Sequence, residues 1–154
     1  MRFLDSGNSP LDRFPRGDTT ALTAQQRERM PLFNGQRFGY SLRHGGINLT
    51  VSYQDTRQPM ARHDFPFFNI GLYDVDGTGS YPAIDQGMYD LTDNYTDRGL
   101  FWPPSLRNVV VTPPYMHDGS LLNLRAVLRH YRNGGTVTEN GPNAGDGRES
   151  PLKS

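Results

Sequence analysis

The absence of any cysteine from this 154-residue chain constrains it more tightly than any motif it carries. Disulfides, thiolate zinc sites, iron–sulfur clusters and thioether-attached cofactors are all closed to it. Yet 17 glycines and 12 prolines, against 34% hydrophobic residues, demand a backbone dominated by turns and irregular loops. Such a chain must be held by packing, by histidine or oxygen ligation, by a non-covalently bound group or by a partner. Its length fits one domain of about 100–200 residues. The 16 basic residues balance the 16 acidic ones, which argues against a nucleic-acid clamp or an anionic-membrane binder. The opening stretch Met1–Asn8 lacks the apolar core of a signal peptide, and no run approaches the roughly 18 apolar residues of a membrane span.

Residues 1–21 read as a polar N-terminal arm that wraps or dangles. Thr23 and Gln26 have capping-box spacing, so a helix is expected from there toward Phe33, with a kink or early end at Pro31 and a stop at Asn34-Gly35. A second helical stretch over Gln36–Arg43 would stop at His44-Gly45-Gly46. The alternation Ile47–Tyr53 suits one short strand. The segment after it, through Arg98, is turn chemistry rich in aromatics, long enough to imply a function or a packing partner. Pro103-Pro104-Ser105 suits a helix start, Val109–Val111 an extended stretch, and Ser120 the cap of an amphipathic helix. On that helix Leu121, Leu124, Val127, Leu128 and Tyr131 form the apolar stripe, and Asn133-Gly134-Gly135 ends it. Residues 136–154 read as a surface tail of the same domain.

No two-histidine helical metal spacing, nucleophile elbow, phosphate loop or dinucleotide fingerprint is present. The Asp74–Gly79 run resembles the start of a calcium loop, but position twelve is Asp85 rather than glutamate, and a solvated turn is the simpler reading. His44, between a helix end and two glycines, reads as a structural histidine or a ligand. Tyr131 on its stripe reads as core.

One segment carries more. Pro104-Ser105-Leu106-Arg107-Asn108, followed by Thr112-Pro113-Pro114-Tyr115-Met116-His117-Asp118-Gly119-Ser120 and a helix ending Tyr131-Arg132-Asn133-Gly134-Gly135, resembles the C-terminal haem domain of bacterial dihaem cytochrome c peroxidases and their MauG relatives. Leu22–Asn34 and Arg37-Phe38-Gly39 resemble the stretch before that domain's haem motif. Asn69-Ile70-Gly71-Leu72-Tyr73 and Gly145-Asp146-Gly147-Arg148 are similar to the MbnH-like, methanobactin-associated branch. The resemblance covers roughly residues 22–154.

It implies a mainly α, cytochrome c-like helical domain over 22–135 with long irregular loops and little β-structure. The family's Cys-x-x-Cys-His motif falls on Tyr40-Ser41-Leu42-Arg43-His44, with both cysteine positions replaced. Only non-covalent haem is then open to the chain, with His44 and Tyr131 as the implied axial ligands, the tyrosine as in the MauG and MbnH branches. Arg107 and His117 are implied near the propionates or the distal solvent, although Arg107 reads equally as a structural arginine tying loop carbonyls together. Arg43 would reach a propionate or face the iron. The resemblance also implies calcium on backbone carbonyls of Thr112 and Pro114, a further N-terminal haem domain, a protein substrate or electron donor, and a periplasmic setting. Trp102, where family members tend to be basic, reads as a core aromatic; His63 and His130 read as surface or hydrogen-bonded groups. Two functions remain open: a haem-dependent oxidoreductase working in electron transfer or peroxide-driven oxidation, and a non-catalytic relative that binds no haem and acts as a structural or binding module.

Overall fold

The computed structural model describes residues 7–35, 43–46, 48–51 and 67–154. Tyr40, His63 and most of the expected Gln36–Arg43 helix lie outside these residues; Arg43 itself is helical. The elements are short: α1 (Pro10–Arg13), α2 (Ala24–Asn34), α3 (Tyr89–Thr92), α4 (Leu124–Asn133) and an antiparallel pair, β1 (Val137–Thr138) with β2 (Gly145–Asp146). Single 3₁₀ turns at Phe14–Arg16, Tyr95–Asp97, Val109–Val111 and Gly147–Glu149 complete them. The chain is helix and loop with a minimal sheet, as its composition implies.

Both N-terminal helices start on reciprocal caps. Ser9 and Asp12 close a capping box at α1, and Thr23 and Gln26 close the one expected at α2. Pro31 lies inside α2 without ending it early: the helix runs on to Asn34, and Gly35 is its cap. Proline there forfeits one amide donor while its fixed φ remains helical.

Four local expectations give way to other hydrogen bonds. Ser120 does not cap α4, because its amide donates to the Asp118 carboxylate at 2.9 Å and Leu121 exchanges backbone bonds with Tyr115 at 2.7 and 3.3 Å, which holds the chain extended. Asn123 caps instead, its side chain accepting from the Ala126 amide at 3.0 Å. Pro103-Pro104-Ser105 starts no helix: its two proline carbonyls face outward from an extended backbone and accept from Thr50 and His44. Val109–Val111 is a 3₁₀ turn, its β-branched preference overruled by the Asn108 backbone at φ 59° and by bonds back to Leu106 and Asn108. Residues 48–51 turn rather than form a strand, since the Leu49 amide returns to Gly46 at 3.1 Å and the Val51 amide to Arg43 at 3.1 Å.

The core is polar. Among the described residues the buried apolar side chains are Leu22, Leu72 and Tyr81, whereas His44, Asn69, Asp74, His130 and Ser150 are buried polar groups. Asn69, fully enclosed, accepts on Oδ1 from the Gly71 amide at 2.9 Å and from the Tyr81 hydroxyl at 3.0 Å, and donates through Nδ2 to the Arg98 carbonyl at 3.1 Å. Its backbone amide donates to the Ser154 hydroxyl oxygen at 3.0 Å, and its carbonyl accepts from the Ser154 amide at 3.0 Å. The Tyr81 hydroxyl in turn accepts from the Leu72 amide at 3.1 Å. Buried polar groups are tolerated only when satisfied in this way.

Residues 136–154 are therefore not a surface tail. Gly147 and Ser150 are buried, the Thr136 amide donates to the Gly71 carbonyl at 2.9 Å, and the Gly147 amide donates to the Thr136 carbonyl at 2.9 Å. A Cβ on Gly71 would stand 2.5 Å from the Gly147 carbonyl oxygen, and one on Gly147 would run into the Gly71 carbonyl. Glycine is required because backbone meets backbone. The stripe on α4 is rotated accordingly: Leu124, Val127 and Tyr131 are half-buried, Leu128 is 60% exposed, and His130 is the buried member.

Asn69→Ala leaves the Gly71 amide, the Tyr81 hydroxyl and the Arg98 carbonyl without their partner, so a loss of about 3 kcal/mol is expected in urea unfolding. Gly147→Ala should cost about 2 kcal/mol or more through overpacking, read as a lowered denaturation midpoint with an unchanged slope.

Candidate functional site

His44 is the most constrained candidate. Its side chain is 6% exposed, and Nδ1–H donates to the Pro104 carbonyl at 3.2 Å. Burial pushes its pKa below 6.5, opposed by the carbonyls of Pro104 and Leu49 and reinforced by the neighbouring Arg43 charge. A neutral imidazole whose Nδ1 is fixed by a carbonyl is the form that ligates metals through Nε2. The surrounding clasp comes from two segments: Thr50 Oγ1 donates to the Pro103 carbonyl at 2.7 Å, Ser105 Oγ to the Asn48 carbonyl at 2.5 Å, and the Leu106 amide to the Leu49 carbonyl at 3.2 Å. The extended prolines position the histidine by offering carbonyls that a helix would have consumed.

Arg43 neither faces outward nor stands free. Its guanidinium lies 4.8 Å over the Phe68 ring and donates to the Ser154 carbonyl. Phe68 is itself bridged to Phe101 by two backbone bonds of 3.0 and 3.1 Å. The charge beside His44 is thus drawn toward an aromatic face and a carbonyl.

Arg107 holds a carboxylate. Its two Nη groups donate to Asp12 at 2.7 and 2.9 Å, a bidentate pair with side-chain exposures of 15% and 8%. The pairing, first through the Arg107 hydrogen bonds and then through Ser9, holds the Asp12 carboxyl well below the usual carboxylate range. The N-terminal arm wraps by this contact, which motif spacing cannot announce: Ser9-x-x-Asp12 signals a capping box, but not the arginine 95 residues away.

His117 packs on aromatic rings. Its ring stacks on Phe101 with centroids 3.7 Å apart and 10° between planes, and Tyr81 approaches at 5.9 Å. Burial lowers its pKa, opposed by Asp118 and Asp85. Tyr131 sits half-buried on α4 with its ring edge-on to His130 at 5.3 Å. His130 is 4% exposed, with Nδ1 and Thr136 Oγ1 2.7 Å apart, and burial lowers its pKa as well. Trp102 is not a core aromatic: it is 47% exposed and meets Phe67 edge-to-face at 5.3 Å. Thr112 and Pro114 lie on an exposed loop, and no group of three or more His, Asp or Glu among the described residues is arranged to hold a metal ion. In the Asp74–Gly79 turn, Asp74 is buried rather than solvated and accepts from the Gly79 amide at 2.8 Å, while Asp76 caps Thr78 and Ser80.

Comparison with known proteins decides the family. Over 144 residues the chain is 34% identical to a cytochrome-c peroxidase of Pseudomonas sp. (strain SCT), covering 85% of this chain and 37% of that protein. Over 135 residues it is 34% identical to the methylamine utilization protein MauG of Methylorubrum extorquens, covering 88% of this chain and 33% of that one. The crystal structure of a MauG-like protein associated with microbial copper homeostasis superposes with a TM-score of 0.88 at 41% identity, over 97% of this chain and 42% of the other. The chain belongs to the cytochrome c peroxidase/MauG family. It spans 37% and 33% of the length of the two curated relatives. No protein-family model matches it. No helix among the described residues is long and apolar enough to cross a membrane.

The family implies haem, and the donor chemistry fits non-covalent ligation by His44, which is buried, neutral and fixed through Nδ1. Covalent attachment does not fit, because the chain has no cysteine.

Burial of His44 and His130 has a pH signature. Their folded pKa values lie below the unfolded 6.5, so the unfolded chain binds more protons as pH falls, and the stability contributed above about 6.5 is lost below it. Urea midpoints should fall between about pH 7.5 and about pH 5.5, and His130→Gln should flatten that dependence.

Proposed function

We propose that this chain is a haem domain of the MauG/MbnH-like C-terminal type that takes haem without thioethers, with His44 and Tyr131 as axial ligands. The observation that carries this reading is His44 itself, buried, with its pKa lowered by that burial and its Nδ1–H donating to the Pro104 carbonyl. When bound, haem would supply electron transfer and peroxide-driven oxidation. The chain's own residues hold the imidazole orientation through the Pro104 carbonyl, draw the Arg43 charge onto Phe68 and Ser154, and present Tyr131 from α4. The proposed calcium ligands are the backbone carbonyls of Thr112 and Pro114. A further haem domain, a protein substrate or an electron donor would be the partner, and a periplasmic setting follows the relatives.

A second reading, a relative that binds no haem and serves as a binding module, is favoured by one contact. Arg107, which the family resemblance sets toward propionates, gives two of its guanidinium donors to the Asp12 carboxylate. Haemin titration followed at the Soret band separates the two. Saturable binding is expected, weakened about tenfold or more, equivalent to about 1.4 kcal/mol, by His44→Ala, and retained with a shifted Soret band in Tyr131→Phe. No saturable binding would establish the second reading, and binding indifferent to both substitutions would overturn His44 and Tyr131 as the ligands. Stopped-flow mixing of the haemin complex with peroxide then tests the oxidative role, a spectrum that never changes ruling it out.

A further inference from the structure

A ladder of aromatic rings crosses the Asn69 hub and takes no part in holding His44. Tyr81, buried at 3% exposure, has its ring centroid 5.6 Å from Tyr73 and 5.6 Å from Phe101, and Phe101 carries the stacked His117. At the outer end the Tyr73 hydroxyl donates to Asp118 Oδ2 at 2.7 Å.

The identity of that acceptor matters. One-electron oxidation turns a phenol into a strong acid, so the electron leaves readily only where a base takes the proton in the same step. Tyr81 donates to the Asn69 amide oxygen, and Tyr95 and Tyr115 donate to the backbone carbonyls of Thr78 and Val109, all weak bases. Tyr73 alone of these four donates to a carboxylate. Asp118 is also solvent-exposed, so a proton placed on it exchanges with water.

We propose that Tyr73 is a redox-active tyrosine with Asp118 as its proton acceptor. A one-electron oxidant of higher potential than the phenol, such as a high-potential metal complex, removes one electron from Tyr73. The phenolic proton crosses the hydrogen bond to Asp118 Oδ2, leaving a neutral tyrosyl radical beside a carboxylic acid. A one-electron donor and the returning proton restore the starting pair.

The titration states support the assignment. The Tyr73 phenol is pushed up to about 12, by burial first and then by the Asp118 hydrogen bond and charge, so it enters the reaction protonated. Burial raises the Asp118 carboxyl, but the hydrogen bonds from Ser120 and Tyr73 outweigh it and keep the group ionised. The charged and titratable groups facing the pair are His117 and Tyr81, the first with its pKa lowered by burial against the opposing charges of Asp118 and Asp85.

The proposal does not rest on the haem reading and is tested without haem. The chain has no cysteine, so Leu122→Cys, at a side chain 74% exposed and four residues from Asp118, gives a unique attachment point for a ruthenium polypyridyl photo-oxidant. Flash oxidation of the labelled full chain with a diffusible electron acceptor should produce a tyrosyl radical, seen in transient absorption and electron paramagnetic resonance. Its yield should drop about tenfold or more in Tyr73→Phe, and its formation rate by about tenfold in Asp118→Asn. Asparagine keeps an acceptor oxygen but not a base, so its fold should hold, as circular dichroism would verify, and Asp118→Glu should restore the rate. No radical in the labelled chain, an undiminished yield in Tyr73→Phe, or an unchanged rate in Asp118→Asn would overturn the assignment.

Discussion

The packing of residues 69–81 against Arg98 and Ser154 depends on one enclosed amide. Asn69 joins three separate stretches of chain: Tyr81 and Arg98 through its side chain, and Ser154 through its backbone. Because few apolar side chains are fully buried, there is no large hydrophobic reserve to replace it. A satisfied polar network specifies one arrangement more sharply than an apolar core would, and it penalises any partial version of itself. The small core is therefore defined by bond geometry more than by volume.

The glycines follow from the same constraint. Once Asn69 and Ser154 are paired, residues 134–136 and 145–148 must pass against Gly71 at backbone distance, as the Thr136 and Gly147 amide bonds show. Side chains would keep the strands of loop apart, and the amide bonds that bind them would lengthen beyond use. High glycine content here does not mean looseness. It permits close backbone contact in a chain that has no disulfides to enforce it.

The candidate ligand and the oxidisable pair stand on either side of this hub. The clasp of 48–51 against 103–106 fixes His44 through Pro104, while the Phe68–Phe101 bridge ties that clasp to the ring ladder of Tyr81 and Tyr73. Arg43 on Phe68 and Ser154 connects the two directly. The N-terminal arm is fastened independently, by Asp12 on Arg107.

What the residues determined by themselves were the features set within a few positions of one another. The Thr23–Gln26 capping box, the stop at Gly35, the end of α4 at Gly134 and the scarcity of strand all follow from local hydrogen-bonding preference and backbone freedom. The family was legible from the run Pro104–Ser120 and the helix after it, and His44 was legible as the residue left beside two lost cysteine positions. Tertiary structure alone decided which local preferences survived. The prolines at 103 and 104 gave their carbonyls to Thr50 and His44, more than fifty residues away. The pairings Asp12 with Arg107, Asn69 with Ser154 and Tyr73 with Asp118 join residues 95, 85 and 45 positions apart. Periodicity and capping rules act over one or two turns of chain, so partners at such separations become visible only when packing brings them into hydrogen-bond range.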